Sequence, residues 1–582
     1  MNRKIIFISA VILSAACCAA AGAESGIEKK LTSAPLNPEF IEYLKNRHTY
    51  LRETGAGNPK TGRIPSPVDF SHLKKVTLSE KKSFSARFDL RAQNKLTPVK
   101  DQGGCGACWA FASLASLESC LLPGKETDFS EEDIIRSHGF DLNPCAGGTE
   151  LMSTAYLTRW GGPVPESDMP YTYSSFSPGN EGLVCRHVQS VIFLPRRDNY
   201  LDNDTIKYFV STYGAAATSL YMTQNSRYYN GISAAFYCSE KITVNHMVAI
   251  VGWDDNYPAA NFNDTPPGKG AFIAKNSWGT RFGEDGYFYL SYYDKTLSWI
   301  ACFNNAEPYT NYSCNYQYDT LGLTAEVGYR DRTAWAANVF QAVDNQPLRA
   351  VGFYATDTNV NYRLYVYKGM PGSSPRSGDL KISQTGSFVY AGFYTVTLDS
   401  PVTLNEGEIF SVVLRLENSS YIYPIACEYP YSGYCSSAAA GAGESFTGPD
   451  GITWEDFTST HENGNVCIKA FAGYTDNIFL NVQAEKETER AWIWSRDIAK
   501  LSILIENIEE VSISKVVIYR RPSLLTPYAV HKEILPGELQ AGAYEYKDFD
   551  IGDSSAYYYK VAVLNASGAV SARSEEKVIQ LD

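Results

Sequence analysis

The sequence predicts an α+β region followed by two all-β sandwich domains, on three observations. Residues 109–122 are rich in Ala, Leu and Ser, with no Gly or Pro before Pro123, and read as a helix. Beyond about Pro308 such signals fade and apolar alternation takes over, in 349–355, 362–367, 394–398 and 409–416, then in 500–505, 515–520 and 555–563. Aromatic residues reach 13%, with 41 tyrosines, a composition suited to half-wet β-surfaces. The length of 582 residues gives roughly four domains' worth of chain at about 150 residues each. The expected division is a leader at 1–23, an N-terminal segment at 24–83, the α+β region at 84–307, and sandwiches at 308–475 and 476–582. Lys and Arg total 51 against 64 Asp and Glu, so no basic footprint exists for nucleic acid.

Arg3 and Lys4 precede an apolar run from Ile5, which ends at Ala21-Gly22-Ala23. This is the pattern of a secretory signal peptide and places the protein outside the cytoplasm, secreted, periplasmic or at the cell surface. The alternative is a lipid anchor on Cys17 or Cys18, from the loose lipobox Ser14-Ala15-Ala16-Cys17. No later segment reaches the ~18 apolar residues of a transmembrane span. Of 13 cysteines two lie in the leader, which leaves an odd number and implies one unpaired thiol in an oxidising compartment.

Cys108 is the natural candidate. It stands in Gln102-Gly103-Gly104-Cys105-Gly106-Ala107-Cys108-Trp109, directly before the expected helix, whose positive end would favour a thiolate. A thiol of ordinary pKa also needs an imidazole beside it to become a nucleophile. His246 lies in the apolar alternation 244–253, within the window of roughly 130–150 residues downstream where such a partner is found. Asn276 follows in Lys275-Asn276-Ser277-Trp278-Gly279.

These motifs resemble the papain and cathepsin family of cysteine peptidases. The resemblance implies a two-lobed fold, with a helical lobe and a β-barrel lobe, and a Cys108, His246 and Asn276 triad. Cys108 would attack the acyl carbon to form a thioester, and His246 would then protonate the leaving amine. Asn276 would orient the ring, shielded from water by Trp278. Gln102 would donate to the oxyanion together with the Cys108 backbone, an interaction of the kind that contributes on the order of 3 kcal/mol to the transition state. Cys145-Ala146-Gly147-Gly148 resembles the family's C-x-G-G, which implies a Cys105–Cys145 bridge and substrate backbone lying against Gly147 and Gly148. The resemblance further implies a Cys238–Cys302 bridge, and Cys120 with Cys185 is offered as the third. Met247 matches a position lining the second subsite, from which an apolar preference is expected. No metal and no organic cofactor is implied.

Two features depart from the family pattern. The His246 to Asn276 gap is about twice the usual one, and its surplus, 255–269, reads as a surface hairpin insertion. Residues 24–83 would occupy the place of the family's pro-segment, or form an extended linker, but show no long amphipathic helix, which speaks against self-inhibition. Within them 35–44 and 64–67 look like a short helix and an extended linker lying on the peptidase surface. Residues 308–475 resemble the lectin-like domain that follows the peptidase in some bacterial papain relatives. Cys314, Cys427, Cys435 and Cys467 would fit two bridges there, with three connectivities open. Residues 476–582 resemble a fibronectin type III module, with a tyrosine corner expected among Tyr557, Tyr558 and Tyr559.

The function expected is an exported cysteine endopeptidase acting on polypeptides, with a cell-surface glycan or protein as a further partner of the β modules. The competing class is a surface-binding or adhesion protein with a vestigial peptidase domain. A third, a thiol oxidoreductase, requires Cys108 to pair with Cys105 rather than Cys105 with Cys145.

Overall fold

The computed structural model describes residues 29–53, 61–76, 83–124, 128–172 and 184–473, and eight stretches of the C-terminal module: 479–491, 494–506, 513–522, 529–540, 543–550, 556–565, 570–573 and 577–580. The leader at 1–23 and the lipidation alternative at Cys17 or Cys18 lie outside the described residues. Among those residues no helix is long and apolar enough to cross a membrane.

Five helices are described: α1 (Pro38–Glu53), α2 (Cys108–Leu121), α3 (Glu131–Ser137), α4 (Glu150–Thr158) and α5 (Asp204–Tyr213). α2 starts at Cys108 and packs against α3 and α4 on one side and the sheet on the other. Its residues Cys108 to Leu114 are all buried, which explains a helix that is apolar or small all round rather than amphipathic. Ser130 caps α3 by accepting from the Asp133 amide at 3.1 Å, and Thr149 caps α4 by accepting from that of Met152 at 3.2 Å. α1 extends well past residue 44, where the sequence had suggested a short helix, and leaves helical geometry at Asn46.

The peptidase region and the sandwich after it share one sheet. Thirteen strands run in the order Cys314–Tyr316, Ile468–Ala472, Gln346–Ala355, Ala391–Leu404, Arg186–Leu194, Ser298–Pro308, Ala216–Leu220, His246–Asp254, Ala271–Lys275, Tyr287–Ser291, Ala235–Phe236 and Tyr229–Asn230, with Arg87–Asp89 beside His246–Asp254. The join is the antiparallel pairing of Ala391 with Phe193 through Tyr394 with Ser190. The sandwich is closed by a six-stranded sheet containing Val360–Lys368, Ile409–Glu417 and Thr333–Gln341. Its core sets Leu348, Val351 and Phe353 with Leu364, Val366, Phe410 and Leu414. The alternation read from the sequence is the inward face of these strands.

The 255–269 insertion adds no strand. It is a loop with a 3-10 turn, Ala259–Asn261, held by buried Tyr257 and Phe262 in a small cluster with Tyr237 and Ala271. The C-terminal module forms a three-stranded sheet, Phe479–Ala491, Trp494–Glu506 and Ala543–Asp548, and a five-stranded one around Ile513–Arg521 and Ala556–Asn565. Tyr559 donates its hydroxyl to the Asp548 carboxylate at 2.7 Å, so the expected tyrosine contact goes to a side chain rather than to backbone. The module docks on the peptidase through a buried Lys560 to Asp168 ion pair at 2.7 Å, and Arg521 donates to the Ser167 carbonyl.

Among the described residues one disulfide is present, Cys105–Cys145. The other expected pairings do not form. The Cys238 thiol turns to the Glu240 carbonyl at 3.5 Å, while Cys302 is buried on its strand facing Cys120. The Cys185 thiol donates to the Pro163 carbonyl at 3.3 Å, which keeps it from Cys120. Cys427 donates to the Ala325 carbonyl and Cys435 to that of Tyr429, both at 3.3 Å, and neither they nor Cys314 and Cys467 are bridged. The odd-count argument therefore fails: nine thiols among the described residues are unbridged, and four of them donate to backbone carbonyls.

The sandwich depends instead on a buried ion pair, Lys469 with Asp319 at 2.9 Å, whose ammonium also bonds the Gln317 side chain and the Asp319 carbonyl. Removing one partner leaves a buried charge uncompensated. Asp319→Ala is expected to destabilise the chain by about 3–5 kcal/mol, read as a lowered midpoint in urea, whereas a surface pair such as Lys29 with Asp331 should give about 1 kcal/mol or less.

Candidate active site

Three chain segments bring the expected site residues together. Cys108 is the first residue of α2, where backbone N–H groups have no intrahelical partner. His246 opens the strand His246–Asp254, and Asn276 follows the strand Ala271–Lys275 paired with it. His246 and Cys108 are wholly buried, and the Cys108 thiol lies against the backbone of Met247, the residue after the histidine.

His246 Nε2 lies 2.8 Å from Asn276 Oδ1, which also accepts from the Ser277 amide at 2.9 Å. An oxygen that already accepts fixes the ring proton on Nε2 and leaves Nδ1, which has no hydrogen bond, as the basic nitrogen. The Trp278 ring sits 4.8 Å from the imidazole and covers that bond. Gln102 is buried; its Oε1 accepts from Ser277 Oγ at 2.6 Å, which orients the amide, and one N–H goes to the Cys105 carbonyl at 2.7 Å. The second amide N–H and the Cys108 N–H remain for an oxyanion. The Cys105–Cys145 bridge holds the loop before α2 against the Gly147-Gly148 turn. It also ties up Cys105, so the arrangement lacks the Cys105–Cys108 dithiol an oxidoreductase would need.

Sequence reasoning missed what lies across this constellation. Residues 61–68 do not run over the outer surface; they thread the cleft between the lobes. The Gly62 and Arg63 amides both donate to the Asn245 carbonyl at 3.0 Å. Gly148 donates to the Gly62 carbonyl at 2.8 Å and accepts from the Ile64 amide at 3.1 Å, so Arg63 pairs with Gly148 in parallel. Gly62 touches the Cys108 thiol. A β-carbon on Gly62 would collide with the Gly106 carbonyl, and one on Gly148 with the Trp109 indole, which is why both positions are glycine. The Gly62 carbonyl is engaged by Gly148 and not by the oxyanion donors, so the segment covers the thiol without presenting a bond to it.

Burial under this segment sets the protonation of the pair. Desolvation pushes the Cys108 thiol up to about 12, only partly offset by the Met247, Trp109 and Gly62 backbone. It pushes His246 down to about 4, against the Asn276 hydrogen bond. The covered site therefore holds a neutral thiol and a neutral imidazole rather than the expected ion pair. Two further site-lining residues carry no sequence signal of their own: Glu150 at the start of α4, and Trp299 on the strand Ser298–Pro308.

A model of the papain family cysteine proteases matches residues 84–307, and a model of a lectin-like domain matches 315–472. Cysteine proteinase 15A of Pisum sativum is 30% identical over 283 residues, covering 46% of this chain and 69% of that protein. The viral cathepsin of Spodoptera exigua nuclear polyhedrosis virus is 31% identical over 258 residues, 43% of this chain and 67% of its own. The crystal structure of the cysteine protease and lectin-like domains of Cwp84, a surface layer associated protein of Clostridium difficile, matches with a TM-score of 0.64 at 27% identity, covering 76% of this chain and 98% of that one. The same clostridial protease after propeptide cleavage matches with a TM-score of 0.60 over 67% of this chain. With these matches spanning the segments that carry Cys108, His246 and Asn276, the chain belongs to the papain family of cysteine proteases.

Proposed function

We propose that the protein is a cysteine endopeptidase held latent by its own N-terminal segment. Cys108 is the nucleophile, His246 the acid and base, Asn276 the orienting residue and Gln102 an oxyanion donor, and the reaction passes through a thioester on Cys108. The observation that carries this reading is the His246 Nε2 to Asn276 Oδ1 hydrogen bond at 2.8 Å, which leaves Nδ1 free to take the proton of a thiol at the N-terminus of α2. Gly147, Gly148 and Asn245 would bind substrate backbone where residues 62–64 now lie. Removal of that segment admits water to the thiol and imidazole, which relieves the desolvation that keeps both neutral and lets the ion pair form.

The adhesion alternative is not favoured, since none of the expected catalytic residues is lost. A location at the cell surface or outside the cell is supported by the leader and by the description of Cwp84 as surface layer associated. The lectin-like domain would hold a surface glycan or protein, and we read the C-terminal sandwich, with its fibronectin type III-like strands, as a spacer.

Hydrolysis of an unfolded protein by the chain freed of residues 24–83, with mild thiol present, should be lost on Cys108→Ala at matched folding; equal cleavage by both would refute the assignment. In the intact chain, Cys108 alkylation by iodoacetamide should rise about tenfold per pH unit from 7 to 10 without a plateau, as for a thiol ionising near 12. Gly62→Val, which cannot sit against Gly106, should make the same thiol react at neutral pH. A neutral-pH plateau in the unmutated intact chain would show that the segment does not suppress ionisation.

A further inference from the structure

The pro-segment places a charged side chain inside the cleft. Arg63, the residue paired with Gly148, is 1% exposed, and its guanidinium lies over the Trp299 ring at 5.4 Å from the centroid. Glu150, the first residue of α4 and two beyond Gly148, is also 1% exposed, and neither carboxylate oxygen has a hydrogen bond. Both Glu150 and Trp299 line one cavity, with Phe70, Phe193 and Ile300. Arg196 reaches the rim of this cavity, but its head is mostly in solvent and is drawn to Asp69 at 3.6 Å.

A carboxylate buried without hydrogen bonds is costly unless a cation faces it. Here Arg63 supplies the field that favours ionised Glu150, although desolvation still raises the Glu150 carboxyl above its ordinary value. Apart from Phe70, which belongs to the segment itself, and Arg196 at the rim, the cavity is lined by Phe193, Leu194, Trp299, Ile300 and Ala301, which suit the stem of a long cationic side chain and give its head a ring face. Nothing in the packing of α4 requires a charge at this position: Thr149 already caps the helix. When the pro-segment leaves, Glu150 remains in an open pocket with no counterion of its own.

We propose that Glu150, with Trp299 as a platform, makes the second subsite a receptor for a cationic side chain. The peptidase then prefers Arg or Lys at the residue penultimate to the cleaved bond, and Arg63 fills the subsite in the latent chain. The inference rests on the peptidase reading above, and replaces the apolar preference expected from Met247. Met247 is 1% exposed and contributes its backbone to the thiol, so the character of the pocket is set by Glu150.

Two measurements test it. In the full chain, Cys108 alkylation at neutral pH reads how firmly the segment is seated. Arg63→Lys should stay within about threefold of the unmutated chain, while Arg63→Leu and Glu150→Gln should each speed it about tenfold or more, with the double variant little faster than either single one, as for two ends of one interaction. Unchanged alkylation in Arg63→Leu, or fully additive effects, would overturn the pairing. In the Gly62→Val chain, fluorogenic peptides sharing Arg next to the cleaved bond and differing as Arg or Leu at the penultimate place should be cleaved with a preference for Arg of about tenfold or more in kcat/KM, collapsing to about twofold or less in Glu150→Gln. Leu preferred, or a ratio that Glu150→Gln leaves unchanged, overturns the proposal while the peptidase reading stands. Silence toward both peptides, with Cys108 also unreactive toward iodoacetamide, overturns both.

Discussion

The site depends on a cluster of charges buried behind it. Lys100 Nζ lies 3.0 Å from the Glu131 carboxylate, 3.5 Å from Glu118 and 2.8 Å from Asp128, and donates to the Phe129 carbonyl at 2.8 Å. Lys275 donates to Thr97 O and Oγ1, and Thr97 in turn donates to Glu118. Three members are tied by chain to expected site residues: Lys100 two before Gln102, Lys275 one before Asn276, and Glu118 on the helix that Cys108 begins. Three segments distant in sequence are thus clamped at one point, so Gln102, Asn276 and Cys108 keep their mutual geometry. Burial opposes the charge on Lys100, yet Glu131 and Glu118 more than offset it and hold its pKa well above the ordinary value. Desolvation lowers that of Lys275, with Glu118 pulling the other way. Such a cluster contributes little net stability, but breaking it by losing one partner costs several kcal/mol, so it specifies one arrangement of the lobes.

The lectin-like domain is part of the same construction. Its strand Ala391–Leu404 continues the sheet that carries His246, and it holds the pro-segment at a distance from the cleft. Thr32–Ser33 adds as an edge strand to Ala325–Gly328, and Ser33 Oγ lies 2.9 Å from His461 Nε2. Phe40 of α1 packs edge-on against Tyr431 and Tyr434 at 5.8 and 5.1 Å. His72 Nε2 lies 2.7 Å from the Thr356 carbonyl, and its ring stacks on Tyr421. Tyr421, Tyr431 and Tyr434 thus serve contacts between the two segments.

What the sequence made legible was local. The helix beginning at Cys108 follows from a Pro-free and Gly-free run, and the strand of His246 from continuous apolar residues, so both hold wherever the chain is placed. The close approaches at Gly148 and the Cys105–Cys145 bridge came from a family motif that packs several constraints into a few residues. What stayed hidden involved partners far apart. A shared sheet pairing Ala391 with Phe193 leaves no period in either strand that names the other. Nine thiols among the described residues are satisfied by carbonyls or packing, which cysteine counting cannot distinguish from bridges. The pro-segment lacks an amphipathic signature because residues 61–68 bind as extended chain, whose backbone bonds are independent of side-chain pattern. Glu150 reads as an ordinary helix-start acid, since only the fold shows that it faces inward.

Magnitudes show where the N-terminal segment is held. Its four backbone hydrogen bonds to Asn245 and Gly148 contribute about 0.5–1.5 kcal/mol each, and water competes for the same groups once the cleft opens. Phe40, Ile64, Val68 and Phe70 are nearly fully buried, and each such side chain gains about 1.5–3 kcal/mol over exposure. The apolar anchors therefore outweigh the cleft bonds, and one of them, Phe40, is seated on Tyr431 and Tyr434 of the lectin-like domain. In the proposed latent form the blockade falls to Gly62, whose backbone lies against the Cys108 thiol. In the proposed latent form, anchorage by Phe40 and blockade by Gly62 thus fall on different residues of one segment.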